Sequence, residues 1–140
     1  INKLAEFWQS RMTYSKSKLQ FEILNVIPPD EFEPKAINNS VTTNVLASMS
    51  IFLAEYSNCL ANVSNANRNM LNKARCIHIP FDQEQNVHLE YENYVGKAPK
   101  NIDVGLLIFP LMWQMDEEVK KNDLWFYEAI MSDHYLLNLL

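Results

Sequence analysis

The side chains of this chain that could do chemistry are few and scattered. Cys76 and His78 stand two apart and would share one face of a strand. A zinc centre needs three or four such ligands, and no second pair of that spacing exists. Glu84 and His88 would be neighbours on a helix, but their segment reads as loop or strand. Asp133-His134 has no nucleophile tied to it by spacing, so the histidines read as satisfied surface groups. Asp116-Glu117-Glu118 could grip a hard cation only with carboxylates converging from other segments. The Glu-x-x-His pair used by metal sites in helical bundles is absent, so the run reads as a solvated acidic face. The two glycines, Gly96 and Gly105, stand in no phosphate-cradling motif, which excludes a glycine-rich nucleotide loop. No catalytic residue, metal or cofactor is assigned.

The elements that would position these groups are read from one repeat. Leu46-Ala47, Leu53-Ala54 and Leu60-Ala61 recur every seven residues. With leucine at a, position d holds Met49, Tyr56 and Val63, and position g holds Val45, Phe52 and Cys59. Apolar a, d and g form the broad stripe of a core-facing helix. Serine at e (Ser50, Ser57, Ser64) and apolar g leave no ion pairs to specify a coiled-coil partner. The repeat therefore predicts the spine of an intramolecular bundle, with Leu46, Met49, Phe52, Leu53, Tyr56, Leu60 and Val63 as its core or interface. From Ala36 to Asn67 the one charged residue is Glu55, so a small, neutral face of Ala, Ser, Asn and Thr lets other helices approach closely. The asparagines are too many for a membrane span.

The rest of the chain is placed around that helix. Residues 2–27 carry apolar positions near helical spacing, with a strand as the alternative where Leu19, Phe21 and Ile23 alternate. Pro28-Pro29 ends the element, and Asp30 to Glu33 is an acidic connector. The central helix is placed at 36–75. Period-two alternation in Cys76–Phe81 and Val87–Tyr91 predicts a small β-hairpin within 76–94, or an extended loop. Asn101 or Asp103 can cap a kinked apolar helix over 104–115, and Asp123 can cap a last one over 124–140. The expected fold is an all-α bundle of about four helices. It forms one helical domain over 1–140, either whole or excised from a longer chain.

Composition narrows the functional classes. The net charge of −5 is concentrated in residues 76–140, which hold eleven acidic and four basic residues. That balance argues against nucleic acid, whose phosphates are met by Lys and Arg. Two glycines in 140 residues predict few tight turns. Cys59 and Cys76 are too few for a disulfide framework, which points to free thiols and an intracellular setting, with a secreted, processed product as the alternative. Absent chemistry and excess apolar helix surface together predict a non-enzymatic assembly module that joins a protein partner or itself. Tyr91, Tyr94, Trp113, Trp125 and Phe126 are the candidate partner surface. The alternatives are a helical pocket for an apolar molecule or lipid, and an enzyme whose acid and base residues cannot be paired from sequence.

Overall fold

A computed structural model describes residues 1–30, 35–62 and 68–137, without the side chains of Arg68 and of residues 132–137. The elements run α1 (Asn2–Arg11), β1 (Met12–Ser15), β2 (Gln20–Ile23), α2 (Val41–Leu60), α3 (Arg68–Arg75), β3 (Phe81–Asp82), β4 (Val87–His88), α4 (Asp103–Ile108) and α5 (Glu117–Leu137). The four-helix bundle is thereby corrected. Among the described residues the architecture is mixed, with helices packed around two two-stranded antiparallel sheets, β1-β2 and β3-β4.

The first departure is at Arg11, where the predicted long helix gives way to a hairpin. Tyr14 pairs with Phe21 across β1 and β2, their ring centroids 5.2 Å apart. Cross-strand aromatic pairs of this kind stabilise a short ladder. The central helix is also shorter than the predicted 36–75. Ile37 instead exchanges backbone hydrogen bonds with Val26, at 2.8 and 2.9 Å. Ser40 then caps α2, accepting from Thr43 N. The helix stops at Leu60, because Asn62 takes a left-handed backbone with φ of 53°. Further on, α4 ends at Ile108, where Phe109 is extended and Pro110 follows through a cis peptide bond. The last helix starts seven residues earlier than expected, at Glu117, so Asp123 lies inside it and caps nothing.

The repeat marks a real helix, but its leucines point away from the core. Leu46, Leu53, Tyr56 and Leu60 are exposed, Leu53 by 52% and Leu60 by 67%. Met49 and Phe52 are half-buried against the two core clusters, and Val63 lies outside the described residues. The buried face is the opposite one, with Asn44, Ala47, Ser48, Ile51, Ala54 and Glu55. Small residues there let α1, α3 and α4 close on α2. The polar ones bond the neighbouring main chain: Ser48 Oγ donates to Ala74 O at 3.1 Å, and Thr42 Oγ1 to Asp103 O at 3.0 Å. The core is two clusters sharing α2. One gathers Ala5, Ile23, Ala47, Ile51 and Ile77, and the other Val41, Val45, Val104, Leu107 and Tyr127. The large core cost expected of a leucine in the repeat passes to the fully buried Ile51. Ile51→Ala should lower stability by about 2–5 kcal/mol in urea unfolding.

Tight turns are not scarce; asparagine makes them in place of glycine. Of seven non-glycine residues with positive φ among the described residues, five are Asn25, Asn39, Asn62, Asn86 and Asn93. Asparagine tolerates this region better than other residues with a Cβ. Asn39, fully buried with φ of 53°, is the most heavily used. Its Oδ1 accepts from Ile23 N and Asn44 Nδ2, each at 3.1 Å, while its Nδ2 donates to Glu22 and Glu92. Asn39→Ala should cost about 2–4 kcal/mol. Asn39→Gly relieves the backbone but restores none of these bonds, so it should recover less than half of that loss in the same unfolding assay.

Candidate functional site: a buried carboxyl cluster

The site is organised by segment 87–92, which leaves β4 and bends at residues 90–91. His88, Glu90 and Glu92 alternate along it, and each side chain fastens a different part of the chain. His88 donates its backbone N–H to Asp123 Oδ1 at 2.7 Å, and its ring Nδ1 lies 2.8 Å from Asp123 Oδ2, which holds α5. Glu90 accepts from Asp103 N at 3.0 Å and from Val104 N at 3.4 Å, which holds the start of α4. Glu92 accepts from Asn39 Nδ2 at 2.9 Å and pairs with Lys18, which holds the β1-β2 hairpin. The backbone of the same segment bonds residues 38–41, with Val41 N donating to Glu90 O at 2.9 Å. The polar positions of the alternating run therefore face inward, and His88 and Glu90 are 7% and 3% exposed.

Two carboxyls from other segments, Asp30 and Asp103, meet beside Glu90. Asp30 is 5% exposed and accepts from Lys100 N at 2.9 Å and Asn101 N at 3.1 Å, both through Oδ1. Asp103 is 1% exposed, and among the described residues neither of its carboxylate oxygens has a hydrogen-bond partner. The three line a cavity of about 10 Å³ together with Tyr91, Tyr94 and Lys97. That space holds about one water molecule. Burial, then the neighbouring Asp103 charge, pushes the Glu90 carboxyl up to about 8. Burial and the nearby Asp30 raise Asp103 to about 6. Carboxyls so displaced mark a place where charge has been concentrated at a cost, as at functional sites. Among the described residues no three acidic, histidine or cysteine side chains converge closely enough to hold a metal ion.

The groups singled out from the sequence fall elsewhere. Cys59 and Cys76 are free and exposed, so Cys59 is not the buried small hydrophobe that the repeat implies. His78 Nδ1 is 2.8 Å from Gln20 Oε1, and burial lowers its affinity for a proton. His88 is buried, not a surface group, and is partnered by Asp123 rather than Glu84. Glu117 and Glu118 form the exposed first turn of α5, and the side chains of Asp133 and His134 lie outside the described residues. Asp103 does not cap α4 with its own side chain; Glu90 does that from another segment. Of the candidate partner surface, Tyr94 is buried, and Tyr91, Trp113 and Phe126 pack against the second core cluster. Tyr94 and Phe126 meet at a cleft of about 400 Å³, Trp113 lines a separate one of about 230 Å³ with Phe52 and Arg75, and Trp125 is 64% exposed.

The cluster lies in a stretch that matches a known family. Residues 1–104 match the model of the glycosyl hydrolase family 65 central catalytic domain. The chain belongs to that family. Among its relatives is the protein-glucosylgalactosylhydroxylysine glucosidase of Dictyostelium discoideum, 39% identical over 135 residues, covering 95% of this chain and 19% of the relative. The enzyme of the same name from Danio rerio is 42% identical over 130 residues, covering 91% of this chain and 19% of the relative. The chain thus spans about a fifth of the length of these curated relatives. A solved structure, a candidate kojibiose phosphorylase from the human microbiome, superposes with a TM-score of 0.67 at 18% identity. It covers 89% of this chain and 23% of that one, and shows a shared fold.

The expectation of a non-enzymatic, heptad-based assembly module is overturned by this membership in a family of catalytic domains. Of the readings made from sequence, the enzyme whose acid and base residues cannot be paired stands nearest to it. Asp30, Glu90 and Asp103 all fall within the matched residues 1–104. No helix among the described residues is long and apolar enough to cross a membrane.

Proposed function

We propose that the protein carrying this chain is a glucosidase that removes glucose from a glucosylgalactosyl-hydroxylysine glycan. The reading rests on one observation: identity of 39% across 95% of the chain to an enzyme of that name. The chemistry of glycoside cleavage is compatible with an acid-rich domain. It needs a carboxylic acid to protonate the leaving oxygen and a second group to bring in the nucleophile. Glu90 and Asp103 are not offered for these roles. The cavity they line, about 10 Å³, admits no sugar ring, and Glu90 already accepts from the backbone N–H groups of Asp103 and Val104. The intracellular setting is part of the proposal, supported by the exposed free thiols of Cys59 and Cys76. So is a protein contact, supported by the uncovered stripe of Leu46, Leu53, Tyr56 and Leu60.

The test is a product analysis with the full-length protein. It is given glucosylgalactosyl-hydroxylysine and, separately, kojibiose, with and without inorganic phosphate. Free glucose from the hydroxylysine glycan, at a rate indifferent to phosphate, is the expected result. Glucose phosphate formed only when phosphate is present would make the enzyme a phosphorylase, and no cleavage of either glucoside would refute the proposal.

A further inference from the structure

The carboxyl cluster holds one short strap of chain, residues 100–104, from two sides. Asp30 Oδ1 accepts two successive backbone N–H groups at its start, those of Lys100 and Asn101. Glu90 accepts two more at its end, those of Asp103 and Val104. Asp30 reaches across 70 positions of sequence to do this, and Glu90 across 13. Backbone N–H groups can be satisfied by neutral carbonyls at lower cost than by ionisable carboxyl groups crowded together out of water. The unpartnered, buried Asp103 carboxylate on the same strap raises that cost further. Lys100 and Asn101 meanwhile present their side chains to solvent. The arrangement costs stability and fixes where a strap sits that starts at the surface and ends in the core, and both arms of the clamp lie inside the stretch matched to the catalytic domain.

We propose that Asp30 is a positioning residue for glucoside cleavage, acting through the 100–104 strap that its carboxylate fastens by two backbone hydrogen bonds. This rests on the glucosidase reading above. Its role is geometric: an acceptor at Oδ1 sets the strap, and the strap sets the start of α4. A displacement of about 1 Å, even far from the chemistry, can cost on the order of 100-fold in rate. Asparagine at position 30 keeps the acceptor and loses the charge, whereas alanine loses both.

The experiment compares the full-length protein with its Asp30→Ala and Asp30→Asn variants. It reads kcat and KM on the hydroxylysine glycan, and amide hydrogen exchange at Lys100 and Asn101. Asp30→Ala is expected to lose about tenfold or more in kcat, with KM changed by less than about threefold. Its two strap amides should exchange faster while those in the middle of α2 stay protected. Asp30→Asn is expected to return kcat to within about threefold of the parent and to restore protection. Asp30→Ala with loosened amides but an unchanged kcat would overturn the positioning role, as would Asp30→Asn as impaired as Asp30→Ala. Should Asp30→Ala not fold, Asp30→Asn decides: retained kcat supports the role and a tenfold loss overturns it. A parent protein that cleaves no glucoside fails the glucosidase reading itself, and does so before any variant is compared.

Discussion

Asp123→Ala is expected to lower folding stability by roughly 3–5 kcal/mol. Asp123 is 1% exposed and accepts from both the backbone N–H and the ring of His88. Its removal strands two polar groups of a residue that is itself buried, with the Phe81 ring edge-on at 5.0 Å. It also unties α5 from β4. Tyr127 OH, which donates to His88 O at 3.0 Å, would then be the remaining polar link from that helix to His88. Asp123→Asn retains an acceptor for the backbone N–H, and the imidazole can present its bare nitrogen to the amide. That variant should lose about 1–2 kcal/mol. Urea unfolding of both variants checks the pair. Equal losses would mean that the neutral amide restores neither bond, against the smaller loss expected of Asp123→Asn.

Stability between pH 6.5 and 8.5 is expected to fall as pH rises, with Glu90 as the main cause. Its folded-state value of about 8 lies above the ordinary 4.5, so within that interval the folded chain holds a proton that the unfolded chain has released. With more protons bound in the native state, the free energy of unfolding decreases as pH increases. The stabilising contribution is fully present below pH 4.5 and is lost by the time pH has passed about 8. The span corresponds to a few kcal/mol, on the order of 3–5. Asp103, raised to about 6, works in the same direction at the acid end of the range. His78, whose proton affinity is lowered by burial, works the other way around its ordinary 6.5. Glu22, Asp82 and Glu117 have lowered values and lose their contributions only under more acidic conditions. Glu90→Gln isolates the effect, because glutamine imitates the neutral acid at every pH. Thermal unfolding of the parent should show a falling midpoint from pH 6.5 to 8.5, and Glu90→Gln a nearly level one. Parallel curves would show that Glu90 does not carry the proton.

Much of the local structure was legible in the chain, and its assembly was not. The heptad leucines lie in a helix, placed at 36–75 and found at 41–60, but periodicity names a stripe without naming what covers it. The small polar stripe on the other side of α2 is what α1, α3 and α4 pack against. Scarce glycine reads as scarce turns only if asparagine is ignored; sixteen asparagines in 140 residues were the missing signal. The alternation in 87–91 predicts extended chain, and β4 lies there. His88 reads as a surface group, yet the unbroken series His88, Glu90, Glu92 is also what a buried polar seam looks like. The carboxyl cluster itself could not be paired in advance. Asp30, Glu90 and Asp103 belong to different segments, and only the fold brings their side chains together. Function was least legible of all, because the cluster shows no motif of its own.

Mass analysis of a glucosylgalactosyl-hydroxylysine peptide incubated with the full-length protein tests the glucosidase reading most directly. Loss of one hexose, leaving the galactosyl peptide and free glucose, is the predicted result. A glycan left intact, under conditions where the protein is folded, would contradict it.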